Sequence, residues 1–274
     1  MTSPSALRAA LADPARPALI VYLCAGDPSP GASLEYLAAA AAAGADVLEV
    51  GVPFSDPMAD GPAIQRASER ALAAGMTLRG ALDLVAALRR RAPRTPVVLF
   101  GYVNPFLRLG PPAALAARAR DAGASGLLCV DLPVEEAVRT LAPALRDAGL
   151  DLVPLVAPTT SAARLARVKE VATGFVYYVT LTGVTGARLP DLGPVRGRVG
   201  AVRAAAGAPV AVGFGISAPA EAAAAGVFAD GVVVGSAAVR VVAQHGAAPE
   251  GPDVLARFVS EVADAVHRAR AGDP

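Results

Sequence analysis

The feature that most constrains this chain is an alternation sustained along most of its length. Short apolar runs rich in Val, Ile and Leu are separated by alanine-rich stretches with helical spacing. The runs at 18–24, 45–51, 97–101, 126–130, 152–156, 175–180, 210–214 and 231–235 are each followed by a predicted helix. Strands that are apolar along their whole length must be covered on both faces, and strands joined through helices lie parallel. Eight such units favour a closed ring over an open doubly wound sheet. The expected fold is therefore α/β: a single-domain (β/α)8 TIM barrel over residues 1–274, with an extra N-terminal helix over 3–11 and a short helix after the eighth strand, at 236–244. A continuous helix is expected over 134–148, and Gly44 and Gly123 are expected to cap the helices before them.

Composition excludes several functional classes. Lys+Arg 25 against Asp+Glu 24 gives a net charge of +1, without the basic excess of a nucleic-acid binder. The one basic run, Arg89-Arg90-Arg91, closes a helix, where positive charge suits the dipole. Hydrophobic residues make up 54% of the chain, but much of that is alanine. The longest uncharged run, 204–220, is broken by Gly207, Pro209, Gly213, Gly215 and Pro219, so no membrane span is expected. The apolar run 18–25 lacks the context of a signal sequence, which points to a cytoplasmic protein. Cys24 and Cys129 are expected as buried free thiols, not a disulfide or metal pair. With only two histidines, both near the C-terminus, and no HExxH, CxxC or Walker motif, no metal site is expected. Acid–base chemistry falls to carboxylates, Lys169, Tyr or Arg.

The stretch 45–62 concentrates the unusual chemistry. Period-2 alternation puts Val47, Glu49 and Gly51 on one face of a buried strand, where an ionised carboxylate is costly unless it is paired, solvated by a pocket or raised in pKa. A loop stiffened by Pro53, Pro57 and Pro62 follows, carrying Asp56 and Asp60. Asp60 has two readings, a functional carboxylate or an N-cap for the helix opening at Pro62, and Asp56 beside Pro57 reads first as a turn former.

At the far end, Gly213-Phe214-Gly215-Ile216-Ser217-Ala218 matches GxGxxA, but it follows the seventh strand, whereas a dinucleotide fingerprint belongs to the first βα turn. Its glycines suit instead a single phosphate held by backbone amides, shared with Gly235-Ser236 at the start of the extra helix. Gly183-Val184-Thr185-Gly186 opens a loop to Leu192 long enough to serve as a lid. Residues alone thus point to a small phosphorylated substrate, its phosphate at strands seven and eight, and carboxylate chemistry at strand two.

These motifs resemble, in order, those of the tryptophan synthase α subunit family of indole-3-glycerol-phosphate lyases. The stretch from Leu48 to Pro62 resembles the family signature; Gly26-Asp27-Pro28, Tyr102 with Asn104, Asp131-Leu132-Pro133-Val134-Glu135-Glu136, Gly183-Val184-Thr185-Gly186, Gly213-Phe214-Gly215-Ile216-Ser217 and Gly235-Ser236 follow, covering 18–245. The resemblance implies the last step of tryptophan biosynthesis, retro-aldol cleavage of indole-3-glycerol phosphate to indole and glyceraldehyde 3-phosphate. Glu49 would be the general acid at the ring carbon, Asp60 the acceptor of the indole N–H, and Tyr177 the tyrosine facing the acid. Tyr22, Ile64, Phe100, Tyr102, Leu128, Val130 and Phe214 would wall the indole slot, Gly215, Gly235 and Ser236 would hold the phosphate, and Thr185 and Gly186 would close over it. The two carboxyls are expected to titrate apart, Glu49 high in its apolar strand and Asp60 low in a polar loop. The resemblance also implies an α2β2 complex whose β subunit carries pyridoxal phosphate, so that this chain needs no cofactor. The alternatives are a stand-alone lyase releasing indole, another phosphate-binding barrel enzyme, or a non-catalytic activator. Two departures stand out: Leu181 lies where some members carry a lid arginine, and Tyr22 adds a hydroxyl to an aromatic position.

Overall fold

The structure is a computed structural model that describes residues 5–179, 192–213 and 215–270. Among the described residues, nine short strands form one all-parallel sheet. They are β1 (Ala18–Cys24), β2 (Val47–Gly51), β3 (Val97–Gly101), β4 (Gly126–Cys129), β5 (Asp151–Leu152), β6 (Leu155–Val156), β7 (Val176–Val179), β8 (Val210–Gly213) and β9 (Gly231–Val234). Their order is β5-β4-β3-β2-β1-β9-β8-β7-β6. The two ends of this sheet are halves of one chain segment, the fifth of the eight expected strands. Its first half pairs with β4 and its second with β7, so the ladder returns on itself as a barrel. The split falls at Pro154, which has no N–H to donate; Val153 still donates to Leu127 at 2.9 Å, and the Pro154 carbonyl accepts from Tyr177 at 3.0 Å.

Alternate residues of every strand face inward. Ala18, Ile20, Val47, Val98, Leu128, Val153, Phe175, Ala211 and Val233 form one interior cluster. The opposite faces, with the helices, form two outer clusters. A short helix, Ala6–Ala10, capped by the Ser5 hydroxyl, closes the N-terminal mouth of the barrel. Its Leu7 and the following Leu11 belong to the interior cluster and lie where Gly126 and Gly231 leave room, since a Cβ at either glycine would press on them. Burying these apolar side chains is what makes the ring compact, at roughly 1.5–3 kcal/mol for each large one.

Three local differences from the expected elements have visible causes. The helix expected over 134–148 is two helices, Val134–Arg139 and Leu141–Asp147, meeting at Thr140. Pro143 has no N–H for the Arg139 carbonyl, and beside that break the Thr140 hydroxyl donates to the Glu136 carbonyl at 2.8 Å. A five-residue helix, Val103–Leu107, follows β3 ahead of the longer helix Pro112–Asp121, its first amide accepted by the Asp131 carboxylate at 2.8 Å. Helix Pro30–Ala42 starts before Ser33, where its apolar pattern begins, because Ser29 caps it and Pro30 fits its first position. Gly44 and Gly123 adopt the expected positive φ, at 109° and 84°.

Candidate active site

Glu49 lies on the inward face of β2, level with Tyr22 of β1 and Val98 of β3. It is 1% exposed, and its Oε1 has no hydrogen-bond partner among the described residues. Burial pushes its carboxyl up from 4.5 to about 8, so the group is a neutral acid at pH 7. The strand explains this placement: Val47 and Glu49 share one phase, and that phase faces the barrel interior, not the helices.

Asp60 sits on the loop after β2. It does not cap the following helix, Pro62–Ala73, whose N-cap is Gly61 without a side-chain bond. Its Oδ2 instead accepts the Tyr102 hydroxyl at 3.1 Å, while the same hydroxyl accepts the Ala59 amide at 3.0 Å. Because that amide fills an acceptor position on the phenol oxygen, the phenol proton is directed at Asp60. Tyr102, expected as a slot wall, therefore orients the carboxylate, and its ring packs on Phe54 with centroids 5.3 Å apart. The expectation of a low Asp60 pKa is overturned: burial raises it from 3.8 to about 6, an effect only partly offset by the Tyr102 hydrogen bond. The order of the two acids stands, Glu49 above Asp60. Asp56, by contrast, is exposed and bonded to its neighbour Ser55, as a turn former would be.

Two tyrosines face the same space. Tyr177 on β7 is half-buried, and burial followed by the charges of Glu49 and Asp60 raises its hydroxyl well above the usual range. Tyr22 is buried and packs edge-to-face on Phe100, with centroids 5.0 Å apart. Each hydroxyl rests over a glycine two residues beyond an inward position on a neighbouring strand: a Cβ on Gly51 would collide with Tyr22, and one on Gly213 with Tyr177. Sequence reasoning missed this use of the two glycines, although their phase, two residues after Glu49 and after Ala211, signals it.

Phe100, Leu128 and Val130 face the barrel interior. Ile64, half-buried on the helix Pro62–Ala73, packs with the cluster that also takes in Tyr22 and Phe100. Thr185, Gly186 and Phe214, with the expected lid, lie outside the described residues. Asp27, of the Gly26-Asp27-Pro28 motif, is 3% exposed and takes both arms of Arg70, at 2.7 and 2.8 Å. That bidentate pair ties the loop after β1 to the helix that follows the Asp60 loop.

At the proposed phosphate end, Gly215 follows β8 with φ +68°, and Gly235-Ser236 opens the helix Ser236–His245 after β9. The two neighbouring helix starts differ. That of Pro219–Gly226 is occupied by the Glu221 carboxylate, which accepts the Ser217 and Ala218 amides at 2.7 and 3.2 Å. That of Ser236–His245 has no side-chain cap, leaving its first amides for an anion. Among the described residues no group of three or more His, Cys, Asp and Glu side chains is placed to hold a metal, and no single helix is long and apolar enough to cross a membrane.

A parallel barrel with an acid kept neutral inside it, a second carboxylate on the next loop and free amides across the rim defines a class: acid–base enzymes acting on small phosphorylated substrates. The family model for the tryptophan synthase alpha chain matches residues 9–267. The chain is 50% identical over 262 residues to the tryptophan synthase alpha chain of Burkholderia pseudomallei, covering 95% of each, and 49% identical over 254 residues to that of Rhizorhabdus wittichii, covering 93% of this chain and 92% of the relative. Among solved structures it resembles tryptophan synthase subunit alpha from Legionella pneumophila, with TM-score 0.87, 36% identity and coverage of 96% and 99%. It also resembles Mycobacterium tuberculosis tryptophan synthase, with TM-score 0.87, 38% identity and coverage of 97% and 99%. The chain belongs to the tryptophan synthase alpha chain family. It is a lyase of tryptophan biosynthesis that cleaves indole-3-glycerol phosphate to indole and glyceraldehyde 3-phosphate, and it acts as a subunit alongside a β subunit.

Proposed function

We propose that Glu49 and Asp60 divide the cleavage between them. Indole leaves badly as a carbanion, so the ring carbon bearing the glycerol chain is first protonated, by neutral Glu49. Positive charge then builds on the ring nitrogen, where ionised Asp60, held by Tyr102, accepts a strengthening hydrogen bond from the N–H. The Glu49 carboxylate next takes the proton of the glycerol hydroxyl as the carbon–carbon bond breaks, releasing indole and the aldehyde. Tyr177 faces the acid; Tyr22, Phe100, Leu128 and Val130 wall the ring; the Gly215, Gly235 and Ser236 backbone holds the phosphate. The observation that carries this reading is the interior carboxyl of Glu49, unpartnered at Oε1 and raised to about 8. Indole formation by the Glu49→Gln variant tests it: loss of turnover with substrate still bound supports the acid role, and unchanged turnover removes Glu49 from the mechanism.

The same reading takes the chain as a single domain working in the cytoplasm, in an α2β2 assembly whose β subunit carries pyridoxal phosphate. That cofactor needs a Schiff-base lysine, and the one lysine of this chain, Lys169, is exposed at the C-cap of the helix Ala162–Val168. The apolar side chains of Met58 and Leu107, 92% and 57% exposed on segments after β2 and β3, are ones a docked subunit would cover. The mass of the complex formed with a β subunit, and turnover with and without it, test the stoichiometry and the coupling.

A further inference from the structure

Asp60 is gripped by its backbone as well as by its side chain. Its carboxylate takes the Tyr102 hydroxyl at 3.1 Å, and its amide donates to the Pro57 carbonyl at 3.0 Å. Its main-chain carbonyl lies outside the ladder of the helix Pro62–Ala73, because the Gln65 amide donates to Gly61 instead, at 3.0 Å. That carbonyl is met by the Gln65 side chain, whose Nε2 reaches back and donates to it at 2.8 Å, its only hydrogen bond among the described residues. A carbonyl can only accept, so the nitrogen of the side-chain amide is the atom that faces it. Packing does little to fix the stretch leading to Asp60: Ser55, Asp56, Met58 and Ala59 are exposed, and Asp60 itself is half-buried. The helix that carries Gln65 is firmly seated by contrast. Its Ala67, Ser68 and Ala71 are buried, and Arg70 is held by both arms to Asp27, at 2.7 and 2.8 Å.

From this geometry, and resting on the assignment of Asp60 to the ring nitrogen, we infer that Gln65 is a positioning residue: by holding the Asp60 main-chain carbonyl it keeps the Asp60 carboxylate on the Tyr102 hydroxyl and in place for the ring N–H. A backbone shift of about 1 Å would be enough to break the Tyr102 bond, which is 3.1 Å long. A contact that merely closed the start of the helix would contribute stability and leave the reaction untouched. Methionine separates the two, since it matches glutamine in length and helix-forming tendency and lacks the donor.

The test is Gln65→Met, alone and combined with Tyr102→Phe, in the chain together with its β subunit, with release of glyceraldehyde 3-phosphate followed from pH 5 to 9. Gln65→Met should lose a few-fold in kcat at pH 7 with KM little changed. The acidic limb of its rate profile should move upward, because Asp60 loses the hydrogen bond that lowers its carboxyl. Added to Tyr102→Phe, the same substitution should cost nothing further, since both remove one contact. Gln65→Glu keeps the length and cannot donate once ionised; it should move the limb the same way, and it carries the test if the methionine variant folds poorly. A Gln65→Met protein with wild-type kcat and pH profile, changed only in its denaturant midpoint, overturns the inference by making the bond a structural one. Losses that multiply in the double variant overturn it too, since Gln65 would then act by a route other than Tyr102. If Asp60→Asn leaves turnover unchanged, the assignment of Asp60 falls and the inference falls with it; if Asp60→Asn loses turnover and Gln65→Met does not, the inference falls alone.

Discussion

Asp46 and Glu49 stand three residues apart at β2 and live in opposite worlds. Asp46, immediately before the strand, accepts the Leu19 amide at 2.7 Å and His267 at 2.8 Å and pairs with Arg16 at 2.9 Å. Burial alone would raise its carboxyl, but the bonds from His267 and Leu19 and the nearby positive charges outweigh that and hold it below the usual range. Glu49 is more deeply buried, its Oε1 is unpartnered, and it is pushed up to about 8. The difference teaches where this fold keeps carboxylates for holding and where for reacting. At the N-terminal end of β2 the chain surrounds an acid with donors; inside the barrel it withholds them, and the protein bears the cost.

The largest break in that comparison is Glu49→Gln. Turnover should fall roughly a hundredfold or more, read as indole release, while binding of the substrate persists. The same variant should gain stability at neutral pH. The folded carboxyl titrates at about 8 against 4.5 unfolded, so wild-type stability falls as pH rises between those values, by up to about 1.4 kcal/mol per unit. Denaturant titrations at pH 5 and pH 8 would show the gap between wild type and variant widening with pH.

Asp60→Asn should be next, costing on the order of tenfold to a hundredfold in kcat by removing charge where the ring nitrogen becomes positive. With Asp60 ionised above about 6 and Glu49 protonated below about 8, the wild-type rate should rise through the first value and fall through the second. A profile flat from pH 5 to 9 would contradict the division of roles.

Asp46→Ala sharpens the other side: it should leave turnover intact and cost about 1–3 kcal/mol of stability, seen in denaturant midpoints, because the Leu19 amide and His267 lose their acceptor. That stability is present above the ordinary carboxylate pKa and is lost as pH falls through the lowered folded value. The smallest effect belongs to Tyr102→Phe, a few-fold loss with the acidic limb of the rate profile moved upward, since the phenol hydrogen bond lowers the Asp60 pKa.

Much of this was legible in the residues because alternation and phase are local. The apolar runs place the eight strand positions, and the phase of Val47, Glu49 and Gly51 puts the acid inside once the ring is closed. The interruptions also carried signals: Pro154 splits the fifth strand and Pro143 breaks a helix, each by lacking an N–H. What could not be read is what joins distant segments. Tyr102 reaches Asp60 across 42 positions and Arg70 reaches Asp27 across 43, and no spacing rule anticipates either pair. The Asp60 titration was misjudged for that reason: the loop looks polar in sequence, but its carboxyl is half-buried with a single phenol as its side-chain donor.

The neutrality of Glu49 is tested most directly by its own titration, followed as the carboxyl band in infrared difference spectra between wild type and Glu49→Gln. The expected result is a protonated carboxyl at pH 7 that ionises with a midpoint near 8. A carboxylate already ionised at pH 7, with a midpoint near the ordinary 4.5, would contradict it.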